Sequence, residues 1–184
     1  MTVKKGDDNL FTINAIVWLF PVLFMLHDFE EIIVVEAWKN RYQAQRIATK
    51  MKKPPFEDLR STASFSIAVA IEFIVICAIS LLSVLMNWYL LWYGLFFGFT
   101  VHLLVHGVLC LRFRHYVPGI VTSIPFFPIC VYLLYVSSTL FPFTGMEIFL
   151  FCVLGVVAML LIVIGLHRAM GTFERLVTAF ARER

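Results

Sequence analysis

Five apolar runs, near 12–36, 63–86, 88–111, 118–139 and 146–167, take up most of this chain. Each is about as long as the roughly 20 residues that a helix needs to cross the hydrocarbon of a bilayer. A water-soluble domain is about 45–50% apolar and 25% charged. This chain is 61% hydrophobic and 15% charged, with a mean hydropathy of +0.88. The expected fold is all-α: an integral membrane bundle of about five transmembrane helices. With 184 residues no room remains for a soluble domain beside them. The start of the chain lacks the basic opening, short apolar core and small-residue cleavage site of a secretory signal, so the first span is expected to stay.

The breaks between runs are chemical. Trp38 to Arg60 is polar and basic, and Pro54-Pro55 forbids a continuous helix there. Asn87 and Trp88 mark a short interfacial turn. Arg112, Arg114 and His115 end the third run, Pro118-Gly119 opens the fourth, and 141–145 is a turn before the fifth. Cys77, Cys110, Cys130 and Cys152 lie inside apolar runs without paired spacing and read as small hydrophobes.

Basic residues set the orientation. Lys39, Arg41, Arg46, Lys50, Lys52, Lys53 and Arg60 lie in the first loop. Arg112 and Arg114 lie in the third, and Arg168, Arg175, Arg182 and Arg184 in the tail. Five spans put these three segments on one side, which the positive-inside rule makes cytoplasmic; the N-terminus is then outside and the C-terminus inside. The tail, 168–184, alternates apolar residues with arginines, and is expected to form an amphipathic helix on the inner leaflet.

Within the first run stands His27-Asp28-Phe29-Glu30-Glu31, in which His27, Glu30 and Glu31 share one helix face. Ionisable side chains at such depth cost about 2.5–3.5 kcal/mol each on insertion scales, so they are kept for a reason. At 1.5 Å per residue, His27 lies about 15 Å and Glu31 about 9 Å from the cytoplasmic end of the first span. Glu72 in the second lies at about 13 Å, and His102 and His106 in the third at about 15 and 9 Å. All fall in one layer of the cytoplasmic half of the membrane, and spacing within a single helix cannot produce that.

His102 and His106 are one turn apart, a spacing that suits zinc, iron, copper or manganese once carboxylates from other helices join. With His27, Glu30, Glu31 and Glu72 the layer offers three nitrogen and three oxygen donors. It could hold one divalent metal, zinc foremost, with Glu30 or Glu72 as general base. It could equally hold two iron or manganese ions. The plainer readings are a hydrogen-bonded histidine pair and a protonated, packed glutamate. Asp28 faces about 100° away from His27 and would stand behind the ligands. Arg112, Arg114, Tyr116 and Thr122 at the cytoplasmic mouth are candidates for binding the polar part of a substrate, or a positive-inside anchor with a Pro-Gly helix start. His167 reads as a structural residue that closes the fifth span.

With these residues the chain resembles the HXXEE-motif family of small bacterial membrane proteins. His27, Glu30, Glu31, Glu72, His102, His106, Tyr116, Pro118 and Gly119 carry the resemblance, which covers about the first two-thirds of the chain. It implies a bacterial inner membrane and brings no activity with it. Two other intramembrane chemistries fit less well. The E-E-x-x-x-R motif of prenyl-protein-type proteases needs an arginine where this chain has Val35, and the histidine boxes of desaturases are absent beyond His102 and His106.

The leading expectation is a metal-dependent membrane hydrolase acting on a lipid or apolar substrate that enters from the inner leaflet. The alternatives are a proton-coupled transporter or channel, a di-iron oxidase or hydroxylase, and a non-catalytic immunity, sensor or lipid-binding subunit. Membrane lipid is the expected partner, a homo-oligomer is left open, and no nucleic-acid partner is expected.

Overall fold

The computed structural model describes residues 2–49, 51–52, 54–59 and 61–182, with side chains from residue 12 onward. Lys50, Lys53, Arg60 and Arg184, used above for orientation, lie outside the described residues, as do the side chains of Lys4 and Lys5. The elements are α1 (Thr2–Arg41), the short α2 (Gln43–Ala48), α3 (Thr62–Met86), α4 (Tyr89–Phe113), α5 (Ile120–Leu140) and α6 (Gly145–Arg182). Among the described residues there is no strand. Among the described residues five helices are long and apolar enough to cross a membrane, the first of them through Thr12–Arg41.

The local chemistry explains the boundaries. Ser61 caps α3 in a reciprocal box with Ser64, and α3 ends at Asn87 in the left-handed region that asparagine tolerates. Arg114, also left-handed, ends α4, and Gly119 with a φ of 87° opens α5. The last span and the tail form one continuous helix, α6, through Arg182. No proline interrupts it, and its internal glycines each cost only about 1 kcal/mol.

α1 is flanked by α3 and α5, and α4 packs chiefly on α5 and α6. Between α1 and α4 lies a layer of large rings: Phe20, Phe24, Trp92, Phe96 and Phe99, all buried. The Phe20 ring is centred 5.2 Å from Phe96 and 5.6 Å from Phe99. Pro21, inside α1, has no N–H for the carbonyl of Val17, and the Trp92 indole N–H donates to that carbonyl at 3.3 Å. In hydrocarbon such a freed carbonyl must find a partner, and the sequence supplies it from another helix.

α4 and α6 meet backbone to backbone. A methyl group at Gly94 would overlap the carbonyl of Phe151, and one at Gly155 the carbonyl of Gly94. Gly94 and Gly98 form a G-x-x-x-G pair, the small-residue spacing that lets membrane helices approach closely.

The ends of the helices are tied at one pole. Glu36 accepts from the Thr62 amide at 2.9 Å, Lys39 donates to the Leu59 carbonyl at 2.7 Å, and Trp38 donates to the Tyr116 carbonyl. Ser61 bonds Glu174 of α6. The end of α1, the start of α3, the 113–120 turn and the extended α6 therefore share one end of the bundle. The four cysteines are free thiols.

Candidate metal centre

The helical wheel of α1 orders the charged residues. Taking His27 as zero and about 100° per residue, Glu30 stands at −60°, Glu31 at +40° and Asp28 at +100°. Glu30 therefore faces α5, His27 and Glu31 face α4, and Asp28 turns towards α3, where Glu72 lies. Each is met by different chemistry.

Glu30 reaches the N-terminus of α5. Its carboxylate accepts from the Val121 amide at 3.2 Å, from the Thr122 amide and hydroxyl at 2.7 Å each, and from the Tyr116 hydroxyl at 2.7 Å. A carboxylate at that position satisfies amides left open by the helix start and meets the positive end of its dipole. Burial, and then the acceptor Glu30, push the Tyr116 hydroxyl above its ordinary pKa. Tyr116 thus stays protonated and donates.

The four residues that converge are His27, Glu31, His102 and His106; one ligand atom from each lies within 4.8 Å of the other three. His106 Nε2 is 3.0 Å from Glu31 Oε1 and 3.1 Å from His102 Nε2. His27 Nε2 is 3.8 Å from Glu31 Oε1. Phe99 walls the group from below, its ring edge-on to His27 at 5.9 Å and stacked on His102 at 6.4 Å.

The hydrogen bonds behind these rings fix which atoms carry lone pairs. His106 Nδ1 lies 2.9 Å from the carbonyl of Pro118, which can only accept. Nδ1 therefore holds the hydrogen, and Nε2 of the neutral ring presents a lone pair. His27 Nδ1 lies 2.9 Å from Thr122 Oγ1. That hydroxyl gives its own hydrogen to Glu30, or to the Gly119 carbonyl at 3.3 Å, both acceptors, and so it accepts from His27. His27 Nε2 is a second lone pair, and Glu31 Oε1 adds the negative oxygen.

A hydrogen on His102 Nε2 can serve His106, and a proton on His106 Nε2 can serve Glu31 Oε1 at 3.0 Å, but neither serves His27 Nε2, which is buried without a hydrogen-bond partner. An unanswered buried polar atom costs about 1–3 kcal/mol, more if charged. Converging lone pairs of this kind are satisfied by a cation. A tetrahedral zinc ion with Zn–N of about 2.0–2.1 Å spaces its ligand atoms roughly 3.3–3.4 Å apart; the pairs here at 3.0, 3.1 and 3.8 Å bracket that spacing, and all four atoms lie within 4.8 Å of one another. Each anchored Nδ1 also matches the way that metal-binding histidines are held in orientation.

The other residues singled out in the sequence lie around this group. Glu72 is buried and, with Asp28, Glu31, His102 and His167, lines a small cavity between α1, α3 and α6. Asp28 is buried as well. His167 is not at the end of its helix, since α6 runs on for four turns past it. Thr122 and Tyr116 belong to the Glu30 network, whereas Arg112 and Arg114 are exposed at the pole near it. Pro118 and Gly119, read from the sequence as a helix start and as family residues, contribute in ways that their types do not announce: Pro118 by its carbonyl, which any residue could offer, and Gly119 by its missing side chain. A Cβ at Gly119 would lie 2.7 Å from Glu31 Oε1 and from the His106 ring.

No curated protein and no solved structure matches the chain. The family model described as a protein of unknown function with HXXEE motif matches residues 18–133, a stretch that contains His27, Glu31, His102 and His106, and the chain belongs to that family.

Proposed function

We propose that the protein is an intramembrane metal-dependent hydrolase acting on a lipid or other apolar substrate. The observation that carries this reading is the convergence of three imidazole nitrogens and one carboxylate oxygen, with His27 Nε2 unanswered, at the wall of an apolar cavity. His27, Glu31, His102 and His106 would hold the ion. Zinc suits the mixed nitrogen and oxygen set and needs no redox partner. Two iron or manganese ions would call on Glu30 as well, and Glu30 already receives four hydrogen bonds. When bound, the metal would polarise a carbonyl and lower the pKa of a water to about 7.

The chain's own residues divide the remaining work. Glu30 orients His27 through Thr122 and leaves the role of base to Glu72, which shares the small cavity with Glu31 and His102. Glu72 takes a proton as the water oxygen bonds to an acyl carbonyl carbon. The bond to the leaving oxygen or nitrogen breaks, and the proton passes to that group. The exposed Arg112 and Arg114 would meet an anionic head group at the pole, which the basic residues would place on the cytoplasmic side; the family resemblance would make the membrane a bacterial inner one.

Nanodiscs of phosphatidylethanolamine and phosphatidylglycerol with added acylglycerol esters, in heavy-oxygen water, provide the test. Wild-type protein is expected to release labelled fatty acid. Glu72→Gln should keep its metal and lose about 10²–10⁴-fold in rate, the usual worth of a general base. A full rate in Glu72→Gln would remove that role. Thr122→Val keeps the shape but not the hydroxyl, and metal affinity should fall by about 10–100-fold, as for other groups that orient a ligand. Unchanged affinity would take Thr122 out of the site. The buried carboxylates Asp28, Glu31 and Glu72 would also suit a proton path. Liposome proton flux that is lost in His102→Ala, without any lipid conversion, would favour a proton-coupled transporter.

A further inference from the structure

The glycine contact between α4 and α6 shapes what lies beside the metal centre. Gly94 faces Phe151 and Gly98 faces Gly155 and Met159, so the two helices run parallel and touch there. Past that contact they part, and a cavity of about 240 Å³ opens between them. Gly98 and Met159 line it beside the glycine contact, and Phe56 and His167 lie where it nears the pole. From Gly98 to Leu109 the cavity runs for roughly 16 Å at 1.5 Å per residue. Its sides are apolar, Val101 and Val105 from α4 and Leu160 and Val163 from α6, and its inner wall carries Glu31, His102 and His106.

On the outer side, Val105 and Leu160 are exposed, as are the neighbouring Leu104 and Leu161. In a membrane this side faces lipid tails. A cavity of about 150 Å³ takes one benzene ring, so this one has room for a single hydrocarbon chain and not for a pair. Apolar sides and a polar inner wall together describe a ligand with one chain and one polar end.

We propose that this cleft binds a single-chain amphiphile, a fatty acid or a monoacyl lipid, which enters sideways between α4 and α6. The polar end lies against His102, His106 and Glu31, and the chain runs from there towards Gly98 and Met159, about 6–12 Å away at 1.5 Å per residue. This substrate class rests on the hydrolase reading, but occupancy of the cleft can be measured without turnover.

The probe is a fatty acid with a photoreactive diazirine, placed either at the chain end or beside the carboxyl group. The protein is labelled in nanodiscs and the attachment sites are mapped by mass spectrometry. The chain-end probe is expected on Met159 and Val156, and the carboxyl-side probe on Val163 and Val105. Val163→Trp fills the cleft and should lower both yields at least tenfold, while the metal content stays that of the wild type. Labels confined to outward residues such as Leu154 and Ile164, with no response to Val163→Trp, would overturn the proposal. So would photoproducts that join two protein chains through the cleft residues, since a second copy would then fill it. Cleft labelling in a protein that has neither metal nor turnover would leave the binding site standing and remove the hydrolase. Metal and turnover without cleft labelling would do the reverse.

Discussion

Purified in detergent without chelator, the protein is expected to carry about one zinc ion per chain, as a single four-donor group suggests. His106→Ala should carry none, and Glu31→Gln should lose at least ten times in affinity. His106 is the most informative position because its ring touches everything: Glu31 at 3.0 Å, His102 at 3.1 Å, and the Pro118 carbonyl at 2.9 Å on its far side. Removing it takes away one ligand and frees the carbonyl that orients it. Loss of metal through misfolding is separable. His106→Gln fills most of the same space, so it should fold as the wild type does by thermal unfolding in detergent and still bind poorly. Two irons per chain would instead bring Glu30 and Glu72 into the ligand set. Folded wild-type protein with no stoichiometric metal would end the hydrolase reading and move proton transfer by the same residues to the front.

Much of this was legible before any coordinates. The five helices follow from apolar runs of spanning length and from breaks at Pro54-Pro55, Asn87, Pro118-Gly119 and Pro142. Depth arithmetic put His27, Glu31, Glu72, His102 and His106 in one layer, and four of these five converge within 4.8 Å. Depth is a single coordinate, however, and it leaves azimuth open. Glu30 and Glu31 are adjacent in sequence and both stand within about 60° of His27. Yet one caps α5 and the other joins the histidines, because α5 and α4 lie to different sides of α1. Asp28 likewise turns to Glu72 on α3 for a reason that only the helix arrangement supplies. Pro118 was read as a helix start and a family residue, but its contact with His106 was not legible, since its backbone carbonyl does the work. Neither the Gly94-x-x-x-Gly98 pair nor its partner Gly155 stood out, because a glycine in an apolar run carries no address. The same holds for Trp92 and the Val17 carbonyl: proline in α1 announces a freed acceptor, and nothing local says which helix answers it.

Gly119→Ala, a change of one methyl group outside the ligand set, is expected to cost nearly as much as losing a ligand. Gly119 has a φ of 87°, which side-chain-bearing residues rarely adopt, so alanine there is strained by about 1 kcal/mol or more. The larger effect is steric. The new Cβ would sit 2.7 Å from Glu31 Oε1 and from Nδ1 and Cε1 of His106, all three inside van der Waals contact. The carboxylate is buried and the imidazole is held by the neighbouring Pro118 carbonyl, so neither can move away without leaving the group. Metal affinity should fall by about 10–100-fold, as when the support behind a ligand is lost, and the melting temperature should fall with it. Gly107→Ala is the matched control. It lies next to His106 in the same helix, a Cβ there meets nothing within 4 Å, and alanine is the better helix former by about 1 kcal/mol. It should keep the metal and melt no lower than the wild type. If both variants bind metal like the wild type, the close approach of Gly119 to Glu31 and His106 has no part in holding the centre. If Gly119→Ala alone fails, the turn at Pro118-Gly119 is a working part of the site: one residue anchors His106, and the next makes room for it beside Glu31.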